Sequence, residues 1–239
     1  MAKTSVSKQA GKSKSSQILR GIADRLRASL LLDDMSFGPK LVDEASAFLL
    51  AAALQRKQGE PSVVLASDSD AGEPGRRYLR IALINDDMPF LVDSVAAAIT
   101  GLGIAIDRLA HPIVPALRDD DGRLVAVGDA QGGTGDAQPE SMIYIETQRV
   151  DARQRIELET LLHSTLADVR IAVSDYPRMV ELLNEDASKV DDVEGAELLR
   201  WFASGKLTQL GHITRKRDGS HAQVLGVCRR GAKAILSDQ

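Results

Sequence analysis

The stretch Ile81-Ala82-Leu83-Ile84-Asn85-Asp86-Asp87-Met88-Pro89-Phe90-Leu91-Val92-Asp93 decides how this chain is read. A short apolar run breaks at Asn85-Asp86-Asp87. Pro89 then opens a second run, in which Leu91, Val95, Ala98, Ile99 and Leu102 share one helical face. Proline suits the first turn of a helix, and Asn or Asp just before it can cap the free N–H groups. The pattern predicts a strand over 78–85, an acidic turn, and a helix over 89–102, with Leu91, Val95 and Ile99 in the core. The free amides of such a helix start can meet a small anionic ligand. Asn85, Asp86, Asp87, Met88 and Phe90 are therefore the candidate ligand-binding residues. The same carboxylates also suit simple capping and complement the helix dipole. No histidine lies in the turn to complete a metal site.

Before this stretch, Ile18, Leu19, Ile22, Leu26 and Leu30 recur at helical spacing, predicting a helix over 16–32. A second helix, rich in Ala and Leu, is expected over 39–58, then a short strand at Val63-Val64-Leu65 and a Gly/Ser/Asp/Pro loop over 67–77. After it, residues 104–117 read as one long apolar strand with a shift of parity, a sign of a bulge or bend. Asp119-Asp120-Asp121-Gly122 is a hairpin turn leading to a short strand over 124–127. A glycine-rich insertion covers 128–139, and residues 141–149 alternate as a strand does. Helices are expected over 153–173 and from Asp175 to Glu185. A further helix follows over 193–205, then a hairpin of 207–217 with 222–230 across Arg217-Asp218-Gly219.

The order β-α-β-β-α begins a ferredoxin-like split βαβ, an α+β fold. Its usual last strand is missing after the second helix. The expected organisation is a disordered tail over 1–17, a helical segment and loop over 18–76, the βαββα module over 77–186, and a helix plus hairpin over 187–239. That last part reads as the start of a second module, so the chain looks like the front of something longer.

Composition narrows the function classes. The chain has 239 residues, 44% hydrophobic and 27% charged, an ordinary globular balance. Aromatics are 3% and the net charge is -4, which argues against nucleic-acid or anionic-membrane partners. The tail over 1–17 has four lysines, no acid and no apolar centre, unlike a secretory signal. The single cysteine, Cys228, allows neither an internal disulfide nor a cysteine-built zinc site and fits a reducing cytosol. It reads as a small core hydrophobe. His111 and His163 lack partners in sequence, while His212 and His221 sit where a terminal hairpin could bring them face to face. No apolar run reaches the length of a membrane span. Ser94 and Ser141 lack nucleophile-elbow glycines, and no Gly-x-Gly-x-x-Gly follows a strand.

Several segments together resemble the N-terminal region of the large NAD-specific glutamate dehydrogenases of bacteria. They are Met88-Pro89-Phe90-Leu91-Val92-Asp93-Ser94, Ala110-His111-Pro112-Ile113, Arg118-Asp119-Asp120-Asp121-Gly122-Arg123-Leu124 and Glu140-Ser141-Met142-Ile143-Tyr144-Ile145-Glu146. Ala167-Asp168-Val169-Arg170, Asp175-Tyr176-Pro177, Leu199-Arg200-Trp201-Phe202 and Gly205-Lys206-Leu207-Thr208-Gln209-Leu210-Gly211 follow in order. The resemblance implies an ACT-type regulatory module, a ferredoxin-like fold that often binds amino acids at its first strand-turn-helix. Phe90 stands where such loops usually carry glycine.

The resemblance further implies that this segment is non-catalytic and holds no cofactor. The parent enzyme would bind NAD in a downstream catalytic domain and deaminate L-glutamate to 2-oxoglutarate, in the cytoplasm and as a homo-oligomer. The strand over 104–117 is the candidate edge for self-association. A free-standing ACT-like amino-acid sensor, or a small enzyme centred on the Asn85 loop, are the competing readings.

Overall fold

The computed structural model describes residues 3–30, 37–69, 77–128 and 135–230. The chain divides into two units, 1–88 with 92–163, and 89–91 with 164–239.

The first unit is built on one antiparallel sheet. Its elements are α1 (Lys3–Ser29), α2 (Pro39–Ala53), β1 (Ser62–Ser69), β2 (Arg77–Asp86), α3 (Leu91–Gly101), β3 (Ile106–Ala110), β4 (Ile113–Arg118), β5 (Leu124–Val127), β6 (Gln138–Gln148) and the first part of α4 (Ala152–Ala187). The strand order is β1-β2-β6-β4-β5, with β3 also paired to β6. Side chains alternate across a strand. Ala82 and Ile84 of β2 join Met142 and Tyr144 of β6 in a cluster with Ile18, Ile22 and Leu26 of α1 and Val42 and Leu49 of α2. Ile81, Leu83, Ile143 and Ile145, which point the other way, are buried too. The central strands are thus buried on both faces, and each such Ile or Leu contributes about 1.5–3 kcal/mol by leaving water. Leu91, Val95 and Ile99 of α3 are buried, as the periodicity predicts.

The missing last strand of the split βαβ has a substitute. In that fold the final strand lies beside the first, on the side away from the hairpin. Here β1 takes the place, antiparallel to β2 from Ser62↔Ile84 to Ser69↔Arg77. The slot is filled by a strand that precedes the module in sequence. With no strand to return to, α4 runs on for 36 residues.

Local expectations differ from the structure at several places. The helix expected from residue 16 begins at Lys3, and no proline interrupts it. The helix α3 starts at Leu91, two residues after Pro89, because Phe90 has a left-handed backbone (φ 69) that cannot continue a helix. The long strand over 104–117 is broken at His111-Pro112 into β3 and β4. There the Pro112 carbonyl accepts from the Met142 N–H. Strand β4 is interior, between β6 and β5, so half of the expected free edge is paired. Finally, the two helices expected over 153–173 and 175–185 are one, with Pro177 inside it. Residues 70–76 of the expected loop, and 129–134 of the glycine-rich insertion, lie outside the described residues.

The second unit contains the rest of α4, α5 (Val193–Trp201) and the hairpin β7 (Gly211–Arg215) and β8 (His221–Gly226). Asp192 caps α5, accepting from the Gly195 N–H at 2.8 Å. The helix expected to run to 205 ends at Trp201, followed by a wide turn in which Gly205 has φ 87. Met179, Leu182 and Leu225 form a small core against Tyr176. Cys228 is buried, as expected for a core hydrophobe, and burial raises its thiol pKa. His212 and His221 do not face each other: register pairs His212 with Leu225 and His221 with Arg215. No described helix is long and apolar enough to cross a membrane.

Candidate functional site

The β2–α3 turn is held from several directions, and its carboxylates Asp86 and Asp87 are engaged by different partners. Asn85 is buried, and its amide donates to the Asp86 carbonyl at 3.0 Å. Asp86 is drawn toward the segment after α2. It accepts from Arg56 Nη2 at 2.8 Å and from the Gly59 N–H at 3.1 Å. Asp87 turns to β6: its N–H donates to the Pro139 carbonyl at 3.1 Å, and its carboxylate accepts from the Ser141 hydroxyl at 2.6 Å. Ser141 Oγ lies 2.9 Å from His111 Nε2. With the Ser141 proton given to Asp87, its oxygen accepts from His111, which fixes the Nε2–H tautomer. Burial lowers the His111 pKa, and the nearby Asp87 charge opposes this only in part. Met88 is half-buried.

Phe90 belongs to the second unit. It is the only described non-glycine residue with positive φ, and it is 47% exposed. The backbone thus keeps at Phe90 the conformation for which glycine is the unstrained choice, at a cost of about 1–3 kcal/mol. Phe90 lines an apolar cavity of about 270 Å³ with Pro89, Tyr176, Leu207 and Leu210.

The sequence reading missed the buried charges beside the turn. Register places Asp86 directly opposite Glu140 across the β2–β6 ladder. Two carboxylates there would repel. Two arginines separate them. Arg56, with a side chain 3% exposed, bonds to Glu140 at 2.6 Å as well as to Asp86. Arg118 forks onto Glu140 with Nε at 2.6 Å and Nη2 at 2.8 Å. Burial by itself would lower the Arg56 pKa, but its bonds to Glu140 and Asp86 outweigh this and raise it, so the group stays charged. The remaining Arg118 donor reaches the carbonyls of Ala53 and Gly122, both at 2.9 Å.

The four charges therefore pin the segment after α2 to the β4–β5 hairpin and to the end of β2. Gly122 completes the contact with φ 82, where an added Cβ would lie 2.6 Å from the Arg56 carbonyl oxygen. A polar cleft of about 470 Å³ opens over this group, with Lys57 and Asp120 on its rim. Arg118 and Glu140 stand inside segments that carry the resemblance. Arg56 had no signal beyond being a charge after an apolar helix.

Elsewhere in the sheet Tyr144 donates to Glu146 at 2.7 Å, and Arg108 pairs with the same carboxylate. Burial first, and Glu146 second, hold the Tyr144 phenol far above its ordinary pKa. Among the described residues no group of three or more His, Cys, Asp or Glu is placed to hold a metal ion.

The sheet, its paired helices and the strand-turn-helix at residues 77–101 define an ACT-like α+β module. The chain belongs to the family described as "Glutamate dehydrogenase, ACT1 domain", which matches residues 29–166. It is similar to the NAD-specific glutamate dehydrogenase of Halomonas elongata, 32% identical over 144 residues, covering 55% of this chain and 9% of that protein. The NAD-specific glutamate dehydrogenase of Mycobacterium tuberculosis is 29% identical over 134 residues, 51% of this chain and 8% of that protein. That of Pseudomonas aeruginosa is 27% identical over 131 residues, 54% of this chain and 7% of that protein. The matched stretch thus spans less than a tenth of the length of these relatives.

Proposed function

We propose that this chain is a non-catalytic regulatory and oligomerisation segment of an NAD-specific glutamate dehydrogenase. The observation that carries the reading is the family match at residues 29–166, which falls on an ACT1 domain. The full protein would oxidise L-glutamate to 2-oxoglutarate and ammonia, with NAD reduced in a catalytic domain downstream in the same polypeptide. It would work in the cytoplasm as a homo-oligomer.

The segment's own residues would bind an amino-acid effector at the Asn85–Phe90 turn. Asp86 and Asp87 are already engaged by Arg56 and by Ser141. An effector carboxylate would therefore meet backbone amides of the turn, and Met88 or Phe90 would meet its side chain. The purified chain is expected to show no glutamate turnover with NAD. Calorimetry with a panel of amino acids is expected to find one that binds, and to find that Phe90→Gly changes its affinity. Turnover above a no-protein control would overturn the non-catalytic reading. An empty panel would overturn the effector reading.

A further inference from the structure

The far end of the β2–β6 ladder carries the opposite charge, and among the described residues no side chain bonds to Arg77 or Arg149. Register runs to Tyr78↔Gln148, and Arg77 and Arg149, the next residue on each strand's side, line one cleft. Like charges gathered in one cleft repel. Arg155, near the start of α4, lines the same cleft of about 560 Å³, with Ser67 and Ser69 at its rim. Arg155 is anchored by one nitrogen only, Nη2 to the Leu65 carbonyl at 2.6 Å. Arg77 and Arg149 make no hydrogen bond or ion pair with the described residues.

Two carboxylates share the cleft, and both are committed. Asp68 pairs with Arg80 and accepts from the Ser69 N–H at 2.8 Å. Asp151 accepts from the Gln154 N–H at 2.8 Å, so the protein's own carboxylate occupies the start of α4. What remains is three guanidinium groups around one opening.

We propose that Arg77, Arg149 and Arg155 bind the phosphate group of a small phosphate ester. A guanidinium fork matches phosphate oxygens and stays charged at any working pH. A dianion between Arg77 and Arg149 converts their repulsion into attraction. The cleft is the size of a small-molecule site and leaves room for more than the phosphate group. None of Asn85, Asp86, Asp87, Met88 and Phe90 lines this cleft, so the site stands apart from the amino-acid effector reading.

The test is calorimetry of the 239-residue chain. The probes are a nucleoside monophosphate and inorganic phosphate, with sodium chloride at matched ionic strength as control. The ester is expected to bind more tightly than inorganic phosphate, and chloride to give no saturable heat. Arg77→Ser with Arg149→Ser should weaken ester binding about tenfold or more, from the lost charged hydrogen bonds. Arg178→Ala, on an exposed helix face of the second unit, should leave it unchanged. Without ligand the double variant should melt at or above the temperature of the parent chain, because a repulsion is removed. Four results would overturn the proposal: no binding of either phosphate, undiminished binding by the double variant, weaker binding together with a lowered melting temperature, or an equal response to chloride. Inorganic phosphate binding as tightly as the ester would overturn the ester assignment.

Discussion

The two ends of the β2–β6 ladder solve the same electrostatic problem differently. At one end Asp86 faces Glu140, and the chain brings Arg56 to both and Arg118 to Glu140 from two other segments. At the other end Arg77 and Arg149 follow one step past Tyr78↔Gln148 and line one cleft, and no carboxylate of the described residues pairs with either. A like-charge pair is tolerable when a counter-charge is supplied. The first end supplies it from within and becomes a structural clamp. The second leaves the counter-charge to solvent or to a ligand. Balanced buried charge marks architecture, and unbalanced charge around a cleft marks a place to bind.

Breaking the clamp should have the largest effect. Arg56→Ala leaves Asp86 without its arginine and Glu140 buried with Arg118 alone, and should cost about 3–5 kcal/mol in denaturant unfolding. Adding Asp86→Asn should recover part of the loss, since the carboxylate left without its arginine loses its charge. A cost below about 1 kcal/mol would mean that the clamp is not the structural counterpart of the open end. Gly122→Ala should cost about 1–3 kcal/mol, because it strains a left-handed backbone and pushes a Cβ against the Arg56 carbonyl. The same assay reads it, and an unchanged midpoint would show that the hairpin can shift away from Arg56.

At the open end, replacing both Arg77 and Arg149 with serine should change stability by about 0.2–1 kcal/mol, in the stabilising direction. Destabilisation would show a hidden structural role and erase the contrast. The smallest effect should come from His111, beside the clamp. Its folded pKa lies below the ordinary 6.5, so the unfolded chain takes up the proton first. Stability should be full above that pH and decline as pH falls from about 6.5 toward the folded value. A melting series across mildly acidic pH should show a shallow fall that His111→Asn flattens. A rise on acidification would mean that Asp87 outweighs burial.

Much of the fold was legible because it is written locally. The apolar period of Leu91, Val95 and Ile99 gave α3 its buried face, and Asp119–Gly122 gave the turn before β5. Two local signals misled. Pro89 suggested a helix start, but the left-handed Phe90 delays it to Leu91. Asp175-Tyr176-Pro177 suggested the start of a new helix, yet α4 runs through it. At the candidate site the acidic turn was found but not its partners. Arg56 meets Glu140 across 84 residues of sequence, and no window of local pattern contains both.

The sequence by itself determined the succession of strands, turns and helices and, through an ordered set of segments, the resemblance to the glutamate dehydrogenase ACT region. Periodicity and turn chemistry act over a few residues, so they survive without the fold. Only the tertiary structure decided that β1 fills the slot of the missing last strand, that Asp86 and Asp87 part to Arg56 and Ser141, and that Arg77 and Arg149 line one cleft. Each is a matter of strand register and chain crossing. Register is set by the summed burial of whole strands, and that sum exists only once the sheet has closed.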